Sequence, residues 1–381
     1  MSLEAPSRSA ARWAAALFVL VVAGLWFHEA RPQLQTRSFP WPGHADAFTL
    51  PTWLPGDCPY YRASIRSLLR DRDLDLRNDL ATDVVPAAGQ VALGARGEWY
   101  PKHPIGLSLA ALPFYAAFGD QGLLLFNLLQ LGALAVLVFA LAHRYAGEAL
   151  SFGVALAYAF GTLLRGAAYN FSPDVFSTLL VTAAVLALLQ KRAGVGGLLF
   201  GLAVVAKWTN LAFLPVAGIW VLLSMGLRPA LRFSLLAAPA LLGLAALNWR
   251  MFGSPLITPY DHVLMYQGTK VAIEPSHREA FDQPFFATLW LQIVRPEKGL
   301  VSSAPWVLLA PLGLVPLFFR LRAEAALLVA LCLTQLAVFA PYRYWGASSY
   351  GHRFLLTVVA LSAAPVAALL SAALERRRPG D

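Results

Sequence analysis

The sequence predicts an all-α polytopic membrane protein of about ten transmembrane helices, with interfacial helices in its first extracytoplasmic loop. Three observations predict it. The 381 residues are 58% hydrophobic and 13% charged, with a mean hydropathy of +0.58, whereas a soluble domain carries roughly 25% charged residues. Lipid must therefore be the solvent for most of this surface. Apolar runs of span length also recur along the whole chain. Finally, the basic residues fall as short clusters between those runs, as topology signals do. The net charge of +9 and pI near 9.8 thus carry no expectation of a nucleic-acid partner.

The runs place helices at 12–28, 121–142, 149–168, 174–190, 195–207, 209–226, 232–250, 302–319, 323–341 and 354–374. The first, Trp13 to Phe27, lacks a small-residue cleavage site and reads as a retained helix. Ile105 to Phe118 is short for a span and holds Pro113 near its middle, so it is expected to lie in the interface. Parity supports that choice. With ten spans, Arg8 and Arg12 share a face with Arg144, with Lys191 and Arg192, with Arg228 and Arg232, with Arg320 and Arg322, and with Arg376 to Arg378. An eleventh span would divide them. Both termini are then expected in the cytoplasm. The chain reads as a single transmembrane domain with two long outer loops, 29–120 and 252–300. Cys58 and Cys332 give no disulfide framework, and Cys332 lies inside an apolar run.

This arrangement gathers the unusual polar residues on the outer face. Asp57 opens the polar part of the first loop. A carboxylate held at the bilayer edge suits a general base for an acceptor hydroxyl, or a metal ligand. Asp57 followed by Pro59 also reads as a helix N-cap, and the two readings are compatible. Asp71, Asp73, Asp75 and Asp79 lack the glycine and distal glutamate of a calcium loop. Arg70, Arg72 and Arg77 are interleaved with them, so a solvated, self-paired loop is expected. Lys102 and His103 precede the interfacial helix, at a depth where a cation either meets a lipid phosphate or snorkels. Asp174 opens the fourth span, where it has a site role or complements the helix dipole. Asn170-Phe171-Ser172 matches a glycosylation acceptor, but Pro173 and the membrane edge argue against that use. Lys207 sits in a tight outer turn that can face an anionic headgroup. Arg295, Tyr344 and Arg353 lie in clusters of cations and aromatics just outside spans, fitting an aromatic belt or a sugar and phosphate site.

There is no Walker A sequence, no strand-flanked dinucleotide motif and no soluble domain for a nucleotide sugar. A transferase built this way needs a lipid-linked donor. A transporter of lipid-linked sugars would carry polar residues at the bilayer midplane; here the span centres are nearly all apolar. A non-catalytic subunit of envelope polysaccharide assembly is a further alternative.

Four segments carry a resemblance: Gly56-Asp57-Cys58-Pro59-Tyr60-Tyr61, Leu68 to Asp79, Tyr100-Pro101-Lys102-His103-Pro104-Ile105-Gly106, and Ser172-Pro173-Asp174. They resemble bacterial members of the GT-C glycosyltransferase superfamily, nearest the protein O-mannosyltransferase and aminoarabinose lipid A transferase group. The resemblance runs over residues 10–250. Beyond that it is mainly one of topology, with Gly299 to Pro311 and Tyr344 to Phe354 added. It implies a multi-span bundle that moves a sugar, with inversion, from a polyprenyl-phosphate donor to a lipid or glycan acceptor outside a bacterial inner membrane. It implies Asp57 as base or metal ligand, Asp174 as second acid, and Lys102 on the donor phosphate; from their own positions, Arg295 and Lys207 are expected to join Lys102 there. His103, Tyr344 and Arg353 are expected at the substrate. A divalent ion held by Asp57 and Asp174 is an open expectation, because Cys58 stands where many relatives carry a second acid. The large C-terminal outer domain of many members has no counterpart here.

Overall fold

A computed structural model describes residues 7–31, 36–39, 48–51, 57–83, 89–267, 270–274, 280–346 and 351–377. The first helix, α1 (Arg8–Leu25), starts where the Ser7 hydroxyl accepts the Ala10 N–H, and it runs on through a wider π turn, Trp26–Ala30. The first loop supplies α2 (Cys58–Arg70), α3 (Arg77–Asp83) and α4 (Gly106–Phe118). Then come α5 (Asp120–His143), α6 (Glu148–Phe160), α7 (Pro173–Leu189), α8 (Ala193–Ala206), α9 (Phe213–Met225) and α10 (Leu227–Phe252). The second loop holds α11 (Phe285–Val294) and α12 (Leu300–Ser303). The chain ends with α13 (Ala310–Arg320), α14 (Arg322–Phe339), α15 (Leu356–Leu361) and α16 (Ala363–Arg377).

Each of the ten expected spans coincides with a helix. Among the described residues six are long and apolar enough to cross a membrane, and the other four are shorter apolar helices. The third span was expected over 149–168 but stops at Phe160. Gly161 follows, and the Thr162 hydroxyl donates to the Tyr158 carbonyl, drawing the chain out of the helix. The last span divides at Ser362 for a similar reason: its hydroxyl bonds the Val359 carbonyl and meets the Tyr158 hydroxyl at 2.5 Å.

The core has two parts. Leu123, Leu131, Leu134 and Val138 of α5 pack with Leu17 and Val21 of α1, Tyr158 of α6 and Val359 of α15. Val181 and Leu188 of α7 pack with Phe200 of α8, Phe213 of α9, Phe233 of α10 and Leu331 of α14. Outward faces stay apolar, with Leu223, Leu235 and Phe319 all exposed, as surfaces in contact with lipid tails are.

Strands add to this helical bundle what the sequence did not suggest. A hairpin pairs β1 (Thr36–Phe39) with β2 (Phe48–Pro51). A second, antiparallel sheet joins β3 (Val91–Leu93), β4 (Trp99–Pro101), β5 (Val263–Gln267) and β6 (Lys270–Glu274) in the order β4-β3-β5-β6. Its strands are too short to show an alternating pattern. The β3–β5 contact rests on Ala92 opposite Val263 and is backed by Leu93 N–H to His262 O at 2.8 Å and Gly89 N–H to Leu264 O at 2.7 Å. The sheet thereby ties the two long outer loops together.

The acidic run is only partly the solvated loop expected. Asp75 pairs with Arg77, and Asp73 accepts from the Ser67 hydroxyl at 2.8 Å. Asp79 is buried and faces buried Arg66 at 3.6 Å. Asp79 thus anchors the loop to α2 instead of facing solvent. Both cysteines are free.

Candidate active site

Asp57 stands at the N-cap of α2, as the Pro59 signal predicted, but its side chain makes no capping hydrogen bond. Its carboxylate instead faces Arg353 Nη2 at 3.2 Å and His103 Nε2 at 3.7 Å. Arg353 comes from the short 3-10 turn Arg353–Leu355 that leads into α15. Its Nε lies 3.6 Å from Asp174 Oδ2. Asp174, buried in the first turn of α7, also accepts from Lys207 Nζ at 2.6 Å and from the Ser172 hydroxyl at 3.2 Å. One guanidinium thus bridges two carboxylates from distant elements, and a lysine closes the far end.

Local sequence fixes each member. Lys207 sits in extended backbone where α8 ends and the turn Trp208–Ala212 begins. Asn210 pins that turn by donating to Ser177 Oγ of α7 and the Ala203 carbonyl of α8, each at 2.7 Å. Gly106 lets α4 approach the same place: a Cβ there would meet the Val205 carbonyl oxygen at 2.6 Å. Asn127 of α5 donates to the Ala167 and Ala168 carbonyls and so holds the turn before Asn170. Asn170 is buried, which agrees with setting aside its glycosylation motif. Lys207 also lies over the Phe339 and Phe354 rings at 4.8 and 5.0 Å, and Arg353 over Phe354 at 5.0 Å.

His103 is held on three sides. It stacks on Tyr61 at 5.3 Å, and its ring nitrogens meet the Tyr260 hydroxyl at 3.2 Å and Gln90 Oε1 at 3.1 Å. Lys102 Nζ donates to the Gly89 carbonyl. Burial alone would raise the Asp57 pKa. The His103 ring, the Arg353 guanidinium and the Lys102 ammonium outweigh it and hold the carboxyl far below the usual carboxylate range. Burial lowers the pKa of His103 and of Lys102, and Asp57 opposes both shifts.

The structure therefore brings Asp57, Asp174, His103, Lys207 and Arg353 into one cluster, with Lys102 at its border. Arg295 and Tyr344 stand farther out. Arg295 pairs with Glu297 at 3.3 Å and lies over the Trp345 ring at 5.9 Å. Tyr344 is exposed and touches Tyr342, which packs on Phe354. Tyr61, Gln90, Tyr260 and His352 were not expected at the site from sequence. Tyr61 was within reach, one α-helical turn from the Asp57-Pro59 start. Tyr260 and Gln90 depend on the sheet between the loops and left no local signal.

A divalent ion fits this arrangement poorly. Arg353 occupies the space between the two carboxylates. Among the described residues no three of His, Cys, Asp and Glu are grouped to hold a metal.

No family model matches the chain, and no curated protein matches it in sequence. Solved structures do match in fold. ArnT from Cupriavidus metallidurans, bound to undecaprenyl phosphate, superposes with a TM-score of 0.59 at 14% identity, over 93% of this chain and 60% of that one. Its apo form gives 0.58 at 14% identity, again over 60% of its length. An Archaeoglobus fulgidus oligosaccharyltransferase, tethered to an acceptor peptide containing the NVT sequon, gives 0.58 at 11% identity, over 96% of this chain and 50% of that one. The chain spans about 60% of the length of ArnT. It shares the fold of these solved structures, and its long apolar helices make it an integral membrane protein.

Proposed function

We propose that the protein is a membrane glycosyltransferase that moves a sugar from a polyprenyl-phosphate donor to a hydroxyl of a lipid or glycan acceptor. The observation that carries this reading is the Asp57–Arg353–Asp174–Lys207 chain of charges in a fold shared with a protein bound to undecaprenyl phosphate. The residues face the outside of a bacterial inner membrane, with both termini in the cytoplasm, because that orientation puts the short arginine-bearing loops inside.

In the reaction, the acceptor oxygen forms a bond to the anomeric carbon as the bond from that carbon to the phosphate oxygen breaks. The electron pair leaves with the polyprenyl phosphate. Asp57 takes the hydroxyl proton, and a single displacement inverts the anomeric centre. Three cations, Lys102, Lys207 and Arg353, stand against two carboxylates, so the cluster retains positive charge for the departing phosphate. Arg295, on the exposed flank, meets the phosphate on its way in, and Tyr344 borders the same approach. In the resting arrangement Arg353 keeps Asp57 too weak a base for proton removal. Donor phosphate competing for Arg353 releases the carboxylate, which ties base strength to donor occupancy.

The test is a transfer assay on the purified protein with polyprenyl-phosphate sugars, comparing wild type with Asp57→Asn. Sugar transfer that Asp57→Asn lowers by orders of magnitude is expected. Near-normal turnover in that variant would move the base to Asp174. No transfer by wild type from any of the lipid donors would remove the reading altogether.

A further inference from the structure

His352 is a buried group that the proposed reaction leaves unused. Its side chain is fully enclosed, and neither ring nitrogen has a hydrogen-bond partner. Buried polar atoms are nearly always paired, so two orphans on one ring mark a partner that arrives from elsewhere. The ring stacks on Trp345 at 5.3 Å and meets the edge of Phe354 at 6.4 Å. These contacts fix its plane and leave the in-plane nitrogens unserved.

The backbone holds it firmly. The His352 N–H donates to Ser303 Oγ at 3.3 Å. Gly351, at φ +40, allows that approach: a Cβ there would meet Ser303 Oγ at 2.8 Å and Leu163 Cβ at 2.9 Å. The next residue is Arg353, which bridges both carboxylates. His352 is therefore attached to the reaction centre by one peptide unit.

The chemistry of the ring selects its partner. Burial pushes the His352 pKa down to about 3, and nearby Lys207 adds to the shift. At neutral pH the ring is uncharged, with one nitrogen a donor and the other an acceptor. A phosphodiester offers only acceptors and would leave one nitrogen unpaired. Sugar hydroxyls offer both. The cations of the site suit the phosphate half of a lipid-linked donor, and this ring suits the other half.

We infer that His352 recognises the sugar of the donor, its two ring nitrogens exchanging hydrogen bonds with sugar hydroxyls. The inference rests on the proposed function. Trp345 covers one face of the ring, and Arg295 lies on Trp345. His352 is then a specificity residue, while Lys102 and Arg353 serve any polyprenyl phosphate.

The experiment is a binding comparison on the full chain in nanodiscs, with undecaprenyl phosphate and a panel of undecaprenyl-phosphate sugars as probes. Wild type is expected to prefer one glycosylated lipid over the bare one. His352→Phe keeps the stack on Trp345 but has no polar atoms. It should bind bare lipid as wild type does and lose that preference by on the order of 10- to 100-fold, the weight of two hydrogen bonds. His352→Gln, which keeps a donor and an acceptor, should recover part of it. If His352→Phe does not fold, His352→Leu serves in the same comparison. A variant that folds, lacks the imidazole and keeps the full preference overturns the assignment and leaves a ring that merely packs or holds a water. Wild type that prefers no glycosylated lipid overturns the transferase reading, and the assignment with it.

Discussion

Arg353 lies 296 residues from Asp57, yet its guanidinium sits 3.2 Å from that carboxylate and 3.6 Å from Asp174. It is both counter-ion and spacer. Removing it leaves two acids facing each other with Lys207 serving only one. Arg353→Met should destabilise the protein by about 1–3 kcal/mol, the cost of leaving part-buried charged groups without their partner. Thermal unfolding in detergent reads this. A shift that Asp57→Asn does not partly restore in the double variant would show that the bridge holds nothing together.

Asp57→Asn and Asp57→Ala separate chemistry from capping. The Asp57 side chain caps nothing, so both variants should fold in similar amounts. Both should lose about 10²–10⁴-fold in turnover if the carboxylate is the base. A folded yield much lower for Ala than for Asn would return Asp57 to a capping role.

Stability should fall with acid in two stages. Burial lowers the pKa of both His103 and His352, and His352 only protonates near 3. Below the unfolded histidine value of about 6.5 the unfolded chain takes protons that the folded one refuses. His352 then removes about 1.4 kcal/mol per pH unit. The Asp57 pKa is depressed, so its contribution is full above about 4 and is lost as pH falls further. Unfolding midpoints measured from pH 7 to 4 should decline for wild type and decline less for His352→Gln. Parallel curves would contradict the burial of a neutral ring.

Gly106→Val should disturb the site without touching it. Any side chain there strikes the backbone at Val205 and Ala206, beside Lys207. Overpacking of this kind costs about 1–3 kcal/mol. Turnover should fall more than folded yield does. Unchanged turnover would mean that the Lys207 position tolerates movement of α4.

Arg192→Cys tests orientation. Arg192 is exposed between α7 and α8, and the native cysteines are buried or half-buried. A membrane-impermeant thiol reagent applied to intact cells should leave it unlabelled. Labelling from outside would reverse the topology.

The helices were legible because lipid-facing helices are written in composition: every expected span coincides with one. Their true ends were harder to read. At Gly161 and at Ser362 a hydroxyl takes a carbonyl from its own helix, and apolar neighbours hide that exchange. Asp57, Asp174, Lys207, His103 and Arg353 could be picked out as polar residues at span edges. Who pairs with whom could not, since the Asp57–Arg353 contact joins the first loop to the last span. Asp79 was misjudged because alternating charges look solvated until a partner such as Arg66 is found inside. Tyr260 was missed because its role depends on a sheet formed between two loops.

The same connectivity sets the order in which the site is made. Asp174 and Lys207 belong to one helical hairpin, so their pair forms as soon as α8 has been inserted. With the proposed orientation, Asp57 crosses the membrane early in synthesis and waits there for nearly the whole chain. Until the ribosome has delivered Arg353 and the last helix has docked, the Asp57 carboxylate lacks the Arg353 guanidinium. A nascent chain arrested before residue 353 should leave the start of α2, around Asp57, more open to protease than the full chain does. The final insertion event is then also the one that closes the cluster of charges around Asp57 and Asp174.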